Sequence, residues 1–156
     1  MDITSIKKVY SLPSSLTHLT FGGKFNQKVD NLPSSLTHLT IKAYIKGKFN
    51  QKVDNLPLNL IHLTFGIDFN EKVDNLPPSL THLTFGRDLN QKVDNLPSSL
   101  THLTFGHDFN EKIDILPLNL KEIKIWKRYV NLYQMKIPFG CKVVDEKNME
   151  ILYIKN

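Results

Sequence analysis

The chain has 156 residues, 40% hydrophobic and 22% charged, which is enough for one domain with a buried core and too apolar for a disordered tail. Its one cysteine, Cys141, excludes an internal disulfide, and no Cys/His spacing of a zinc site occurs. The formal charge of +5 sits at the two ends: over residues 12–117 nine Lys and one Arg oppose eight Asp and two Glu, so the body carries no field that would draw a polyanion.

Taken in chain order, the opening residues lack the apolar run of a signal peptide, and nowhere do apolar residues reach the ~18 of a membrane span. An intracellular, cytoplasmic setting without membrane association is expected. Residues 6–10 repeat the Lys-Val pattern seen later, so residues 1–11 read as a degraded half unit. From there Leu-Pro recurs at Leu12, Leu32, Leu56, Leu76, Leu96 and Leu116, at intervals of 20, 24, 20, 20 and 20 residues. Internal repetition of this kind fixes the architecture before any other signal.

Twenty residues hold two short extended segments and two turns, and no crossover helix. In the unit that begins at Leu76, residues 80–85 alternate toward their end, which predicts a strand with Leu80, Leu83 and Phe85 inward and His82 and Thr84 outward. Residues 90–94 alternate again and predict a second strand, Val93 inward, Lys92 and Asp94 outward. Gly86 supplies the turn after the first strand, and Pro77 opens the unit where no backbone donor is needed. A unit this small cannot bury its apolar side alone, so the units must stack into a coil of about six rungs. Like residues then form columns. Leu16, Leu36, Leu60, Leu80, Leu100 and Leu120 are one of these, and Phe25, Phe49, Phe69, Leu89 and Phe109 another. The expected fold is mainly β: a parallel solenoid forming one domain over residues 1–156, with repeats at 12–125 and a C-terminal cap at 126–156.

The Leu-Pro-x-Ser-Leu-Thr-His-Leu-Thr-Phe-Gly stretches, with the Phe-Asn pairs at Phe25, Phe49, Phe69 and Phe109, resemble the FNIP repeat, known mainly from amoebal slime moulds and giant viruses of amoebae. This chain departs from the family where its name originates, reading Gln-Lys-Val or Glu-Lys-Val/Ile after Phe-Asn in place of Ile-Pro. The resemblance implies a leucine-rich-repeat-like solenoid and, if the source is viral, residence in the host cytoplasm. Some members carry an N-terminal F-box; only eleven residues precede Leu12 here, so that adaptor role is not expected to transfer.

Five histidines, His18, His38, His62, His82 and His102, share one outward column, flanked by Thr20, Thr40, Thr64, Thr84 and Thr104. Imidazoles ~4.8 Å apart could coordinate a transition metal. Five equivalent ligands without an in-register carboxylate define no site, however, so neither metal nor cofactor is expected. Asn26, Asn50, Asn70, Asn90 and Asn110 read as a structural ladder, a buried Asn at a solenoid corner bonding the neighbouring rungs. Rows of Lys (Lys28 to Lys112) and Asp (Asp30 to Asp114) read as solvated ion-pair ladders. Ser14, Ser34 and Ser98 lie beside Pro without nucleophile-elbow glycines. A reaction centre would need unlike residues in unlike roles, so no catalytic residue is expected.

Two departures from the repeat remain. The second unit carries four extra residues, over which Tyr44 and Ile45 form a candidate partner anchor. Residues 126–156 leave the pattern and are expected to cap the last rung, with Leu132, Tyr133 and an apolar strand from Met149 to Ile154. The function this implies is a non-enzymatic, monomeric protein-interaction module that presents its His/Thr-lined sheet, with Tyr44 and Ile45, to an unknown protein partner. Nucleic acid is disfavoured. The alternative from a different class is binding of nucleic acid or an anionic surface through Lys121, Lys124, Lys127 and Arg128 beside Trp126 and Tyr129.

Overall fold

The structure, a computed structural model, describes residues 2–3, 9, 12–42, 49–126 and 132–151. Each Pro-x-x-Leu segment closes a turn in which the Leu N–H donates to the proline carbonyl, at 3.1 Å in Leu16 and 3.0 Å in Leu36, and again at Leu60, Leu80, Leu100 and Leu120. The turn delivers the chain into a strand of three or four residues. These strands are β2 (His18–Phe21), β3 (His38–Ile41), β4 (His62–Phe65), β5 (His82–Thr84), β6 (His102–Thr104) and β7 (Glu122–Lys124). Two further strands extend the sheet beyond the expected repeats, β1 (Asp2–Ile3) and β8 (Lys142–Val144). All eight are parallel and lie in sequence order.

Register follows the columns. His18 pairs with His38, His38 with His62, His62 with His82 and His82 with His102. The 24-residue interval between the second and third units leaves the pairing of β3 with β4 unshifted, so the extra residues are accommodated between the strands. Residues 43–48, which include Tyr44 and Ile45, lie outside the described residues.

Behind the sheet the apolar columns form one core. Leu36, Leu60, Leu80 and Leu100 are fully buried, as are Phe49, Phe69 and Leu89. Within a rung the strand phenylalanine stacks on the one past the turn, Phe21 on Phe25 at 3.7 Å and Phe65 on Phe69 at 3.8 Å. That contact bridges the sheet to the returning chain across a core only one side chain thick. Fully burying such side chains contributes ~1.5–3 kcal/mol each before backbone ordering is subtracted.

The returning half of each unit differs from expectation. Residues 90–94 form no strand, although Val93 is buried as foreseen. One backbone donor of each returning stretch from the third unit on goes to a side chain of the preceding rung instead. Asn50 Oδ1 accepts the Asn70 N–H at 2.8 Å, Asn70 Oδ1 that of Asn90 at 2.9 Å, and Asn90 Oδ1 that of Asn110 at 2.9 Å. These asparagines are surface residues, not buried corner residues, and the first of the column, Asn26, accepts from Gln51 Nε2 at 3.0 Å.

The Lys/Asp ion-pair ladder is corrected in the same way. Among the described residues those rows hold one pair, Lys112 to Asp114 at 2.7 Å. Asp30 and Asp54 accept from Asn55 and Asn75 of the next rung, at 3.3 and 3.4 Å. A neutral amide on a short stem reaches the neighbouring rung with less rotamer entropy to lose than a lysine.

The C-terminal part adds a rung before it caps. Leu132 is buried, followed by Met135 and Ile137, and β8 pairs with β7 through Ile123 and Val143. Cys141 takes the turn position held by Leu120, with its N–H on the Pro138 carbonyl at 3.1 Å. The chain then reverses, and Glu150 forms an antiparallel bridge to Val144. Met149, expected to cover the last rung, is 63% exposed. The rest of the predicted strand, 152–154, lies outside the described residues, as does all of residues 6–10 except the buried Val9.

Candidate functional site

The outward face of β2 to β6 carries the histidines on one column and Thr20, Thr40, Thr64, Thr84 and Thr104 on the next-but-one, because side chains alternate along a strand. The imidazoles lie face to face, with centroids 4.1, 4.3, 4.1 and 4.3 Å apart from His18 through His102 and interplanar angles of 5–19°. Parallel strands alone set a spacing of ~4.8 Å; offset tilting closes the rings into contact.

A second set of threonines holds the rings in that orientation. Thr17, Thr37, Thr81 and Thr101 each precede a histidine and place Oγ1 at 2.8–2.9 Å from its Nδ1. Three of these hydroxyls also reach the carbonyl of the preceding rung: Thr37 to Thr17 at 3.1 Å, Thr81 to Ile61 at 3.3 Å and Thr101 to Thr81 at 3.1 Å. A hydroxyl has one proton and a carbonyl can only accept. Both contacts are hydrogen bonds only if the hydroxyl donates to the carbonyl and Nδ1–H donates to the hydroxyl. His38, His82 and His102 are thereby assigned the Nδ1–H tautomer by their network. Nε2 has no partner among the described residues and is left to accept a hydrogen bond from outside the chain. His62 follows Ile61 and lacks this clamp.

Burial lowers the pKa of His38, His62 and His82 below the ordinary value of 6.5, and the charges of neighbouring histidines lower it further. The inner column is therefore neutral at pH 7. Stacked rings aim their free nitrogens side by side instead of at one point, and among the described residues no group of three or more His, Cys, Asp or Glu could hold a metal ion. Past His102 the column continues as Glu122 and Lys142, where the repeat decays.

Other candidates fare differently. Ser14, Ser34 and Ser98 are exposed in turns, and among the described residues no side-chain bond joins them to a histidine. The serines that matter structurally are their neighbours: Ser35 and Ser99 donate to the Leu16 and Leu80 carbonyls at 2.7 and 2.6 Å. Burial pushes the Cys141 thiol up to about 11, with Glu122 adding to the shift; it packs as a thiol and is no nucleophile. In the basic C-terminal segment, Lys124 Nζ donates to Asn148 Oδ1 at 2.7 Å, and Lys127, Arg128 and Tyr129 lie outside the described residues.

Sequence reasoning missed one constellation. His107, outside the column, meets Asp108 Oδ1 at 2.6 Å and packs T-shaped with Trp126, ring centroids 4.8 Å apart, while Arg87 Nε reaches Asp108 Oδ2 at 3.4 Å. The bond from His107, more than the charge of Arg87, lowers the Asp108 pKa. The available signal was that the position after Gly differs from rung to rung where nearly everything else is copied. The clamping threonines also had a signal, Thr before His in four units with Ile61 as the exception.

Comparison with known proteins adds the following. The FNIP repeat pattern matches residues 6–43, 49–88, 72–107 and 89–127. A solved structure described as CroV588, a novel circular LRR protein, is 36% identical, with a TM-score of 0.61 over 86% of this chain and 24% of that one. The chain thus spans about a quarter of that protein's length. No curated protein matches.

Proposed function

The chain belongs to the FNIP repeat family, and from that premise we propose that it is a non-enzymatic module that docks a protein partner on the His/Thr face of its sheet. The observation that carries this reading is the clamped imidazole column. Five rings are held in contact, four of them by a threonine hydroxyl, and in His38, His82 and His102 the fixed tautomer leaves Nε2 without a partner among the described residues, in a fold that otherwise returns polar groups to neighbouring rungs. A surface ordered before binding loses little entropy on association, and a row of Nε2 acceptors suits N–H donors of a partner's backbone or side chains. Near-identical rungs offer no nucleophile, acid and base in distinct roles, which favours recognition over catalysis.

The test is a pulldown from the native host cell with the wild type and with H38S/H62S/H82S, whose fold is checked by circular dichroism. The reading expects a partner retained by the wild type and lost by the folded variant. Equal capture by both would refute it.

A further inference from the structure

Copied columns cannot tell one partner sequence from another; selectivity has to come from positions that vary between rungs. One varying column lies just past the glycines, where Ile67, Arg87 and His107 succeed one another. The glycines beside it form a bare strip because nothing else fits. A Cβ on Gly86 would lie 1.9 Å from the Gly66 carbonyl oxygen, and one on Gly106 1.8 Å from that of Gly86.

Between this strip and the outward threonines run two depressions. One, of about 250 Å³, reaches from Thr40 and Lys42 across Gly66 and Ile67. The other, of about 500 Å³, reaches from Arg87 across Gly106 and His107 to Trp126. Both include Phe85 and Gly86, so they join into one trough along the solenoid axis. It crosses the rungs of β3 to β7, roughly 19 Å at ~4.8 Å per step, the length of about six extended residues. That shape suits a peptide strand better than a compact small molecule.

Charge selects the peptide. The described lining residues include two cations, Lys42 and Arg87, and no carboxylate. Of the carboxylates that directly follow this varying column, Asp68, Asp88 and Asp108, Asp108 is engaged by Arg87 Nε and by His107, and the terminal guanidinium nitrogens of Arg87 have no partner among the described residues. Trp126, 37% exposed and edge-on to His107, closes one end with an apolar surface.

We propose that this trough binds an extended acidic segment of the partner, with its carboxylates on Arg87 and Lys42 and an apolar side chain against Trp126. The inference rests on the sheet being a docking surface and names the occupant of its glycine edge. The probe is a fluorescein-labelled peptide of about eight residues, Asp alternating with Ser around a central Leu, set against the same peptide with Lys for Asp and read by anisotropy. The acidic peptide is expected to bind and the basic one not. R87E and W126A should each weaken binding about tenfold or more, and H38S/H62S/H82S should change it less than about twofold. Because Arg87 is a surface side chain, 61% exposed, R87E keeps the test valid even if W126A disturbs the fold. Equal binding of the two peptides, no saturable binding of the acidic one, or indifference to R87E would each overturn the trough. If the His variant alone lost the partner in the pulldown, the docking face would stand and the trough would fall.

Discussion

An imidazole that touches another on each side cannot take a proton without setting its charge against theirs. For His38, His62 and His82 burial and neighbouring histidines act in the same direction, so each binds its proton more weakly in the fold than at the ordinary 6.5 of the open chain. The unfolded state therefore gains protons first. The stabilisation is complete above pH 7 and is lost as pH falls through 6.5 toward the lowered values. A Tm falling by a few degrees between pH 7.5 and 5.5 is expected, and H38N/H62N/H82N should flatten that fall. Glu122 stands beyond His102 in the column and is not among the groups that shift these three histidines. A second prediction also belongs to single residues. Gly86 faces backbone of the preceding rung, which cannot move aside as a side chain can. G86A should destabilise by about 3 kcal/mol or more in a urea melt, whereas S98A, on an exposed turn, should stay within about 0.5 kcal/mol.

Rungs, and not residues, are the units that stack, and this sets what can be removed. Deleting residues 77–96 joins Leu76 to Pro97 and keeps every column aligned, so the shortened chain should fold with a modestly lower midpoint, as expected where stability sums over neighbouring repeats. Deleting residues 87–96 puts Leu and Phe columns against turns and should abolish the β signal in circular dichroism. Equal tolerance of both deletions would deny that one unit is one circuit. The strands of β2 to β7 were legible in the sequence because their side chains recur at a constant interval and alternate within it. The returning stretch was misread as a strand because its alternation of Val93 with Lys92 and Asp94 is real. Only the asparagine bonds between rungs show that its first backbone donor goes to a side chain. Strand β8 was hidden by a change of spacing: Pro138 follows Pro117 by 21 residues, and Cys141 stands in the leucine column. For the candidate site, the histidine column could be read directly. The carbonyl half of the hydroxyl clamp, the trough and the Arg87–Asp108 pair depend on contacts between residues about 20 apart, which a single unit does not display.

At the scale of the molecule, a parallel sheet of stacked rungs leaves an unpaired strand edge, and an open edge recruits other chains. On β8, Lys142 N–H donates to the Lys121 carbonyl just before β7, so by alternation the groups of Val143 and Asp145 face the other way. They are met by the reversed chain: Ile151 N–H donates to the Val143 carbonyl at 2.7 Å, and Asp145 N–H to the Met149 carbonyl at 2.9 Å. The reversal depends on one buried carboxylate. Asp145 is wholly buried. Its Oδ1 accepts from Lys147 N–H at 2.9 Å and Met149 N–H at 2.8 Å, while Asn148 adopts the left-handed φ of 62° that the turn requires. Removing the carboxylate strands two backbone donors, each costing ~1–3 kcal/mol if left unmade, and releases the covering segment from the edge. D145A should therefore lower stability by about 2–4 kcal/mol and make light-scattering mass rise with protein concentration. D145N, which keeps an acceptor at Oδ1, should stay close to wild type in mass. A D145A variant that melts like the wild type and stays monomeric at high concentration would show that the edge is protected by something other than this turn.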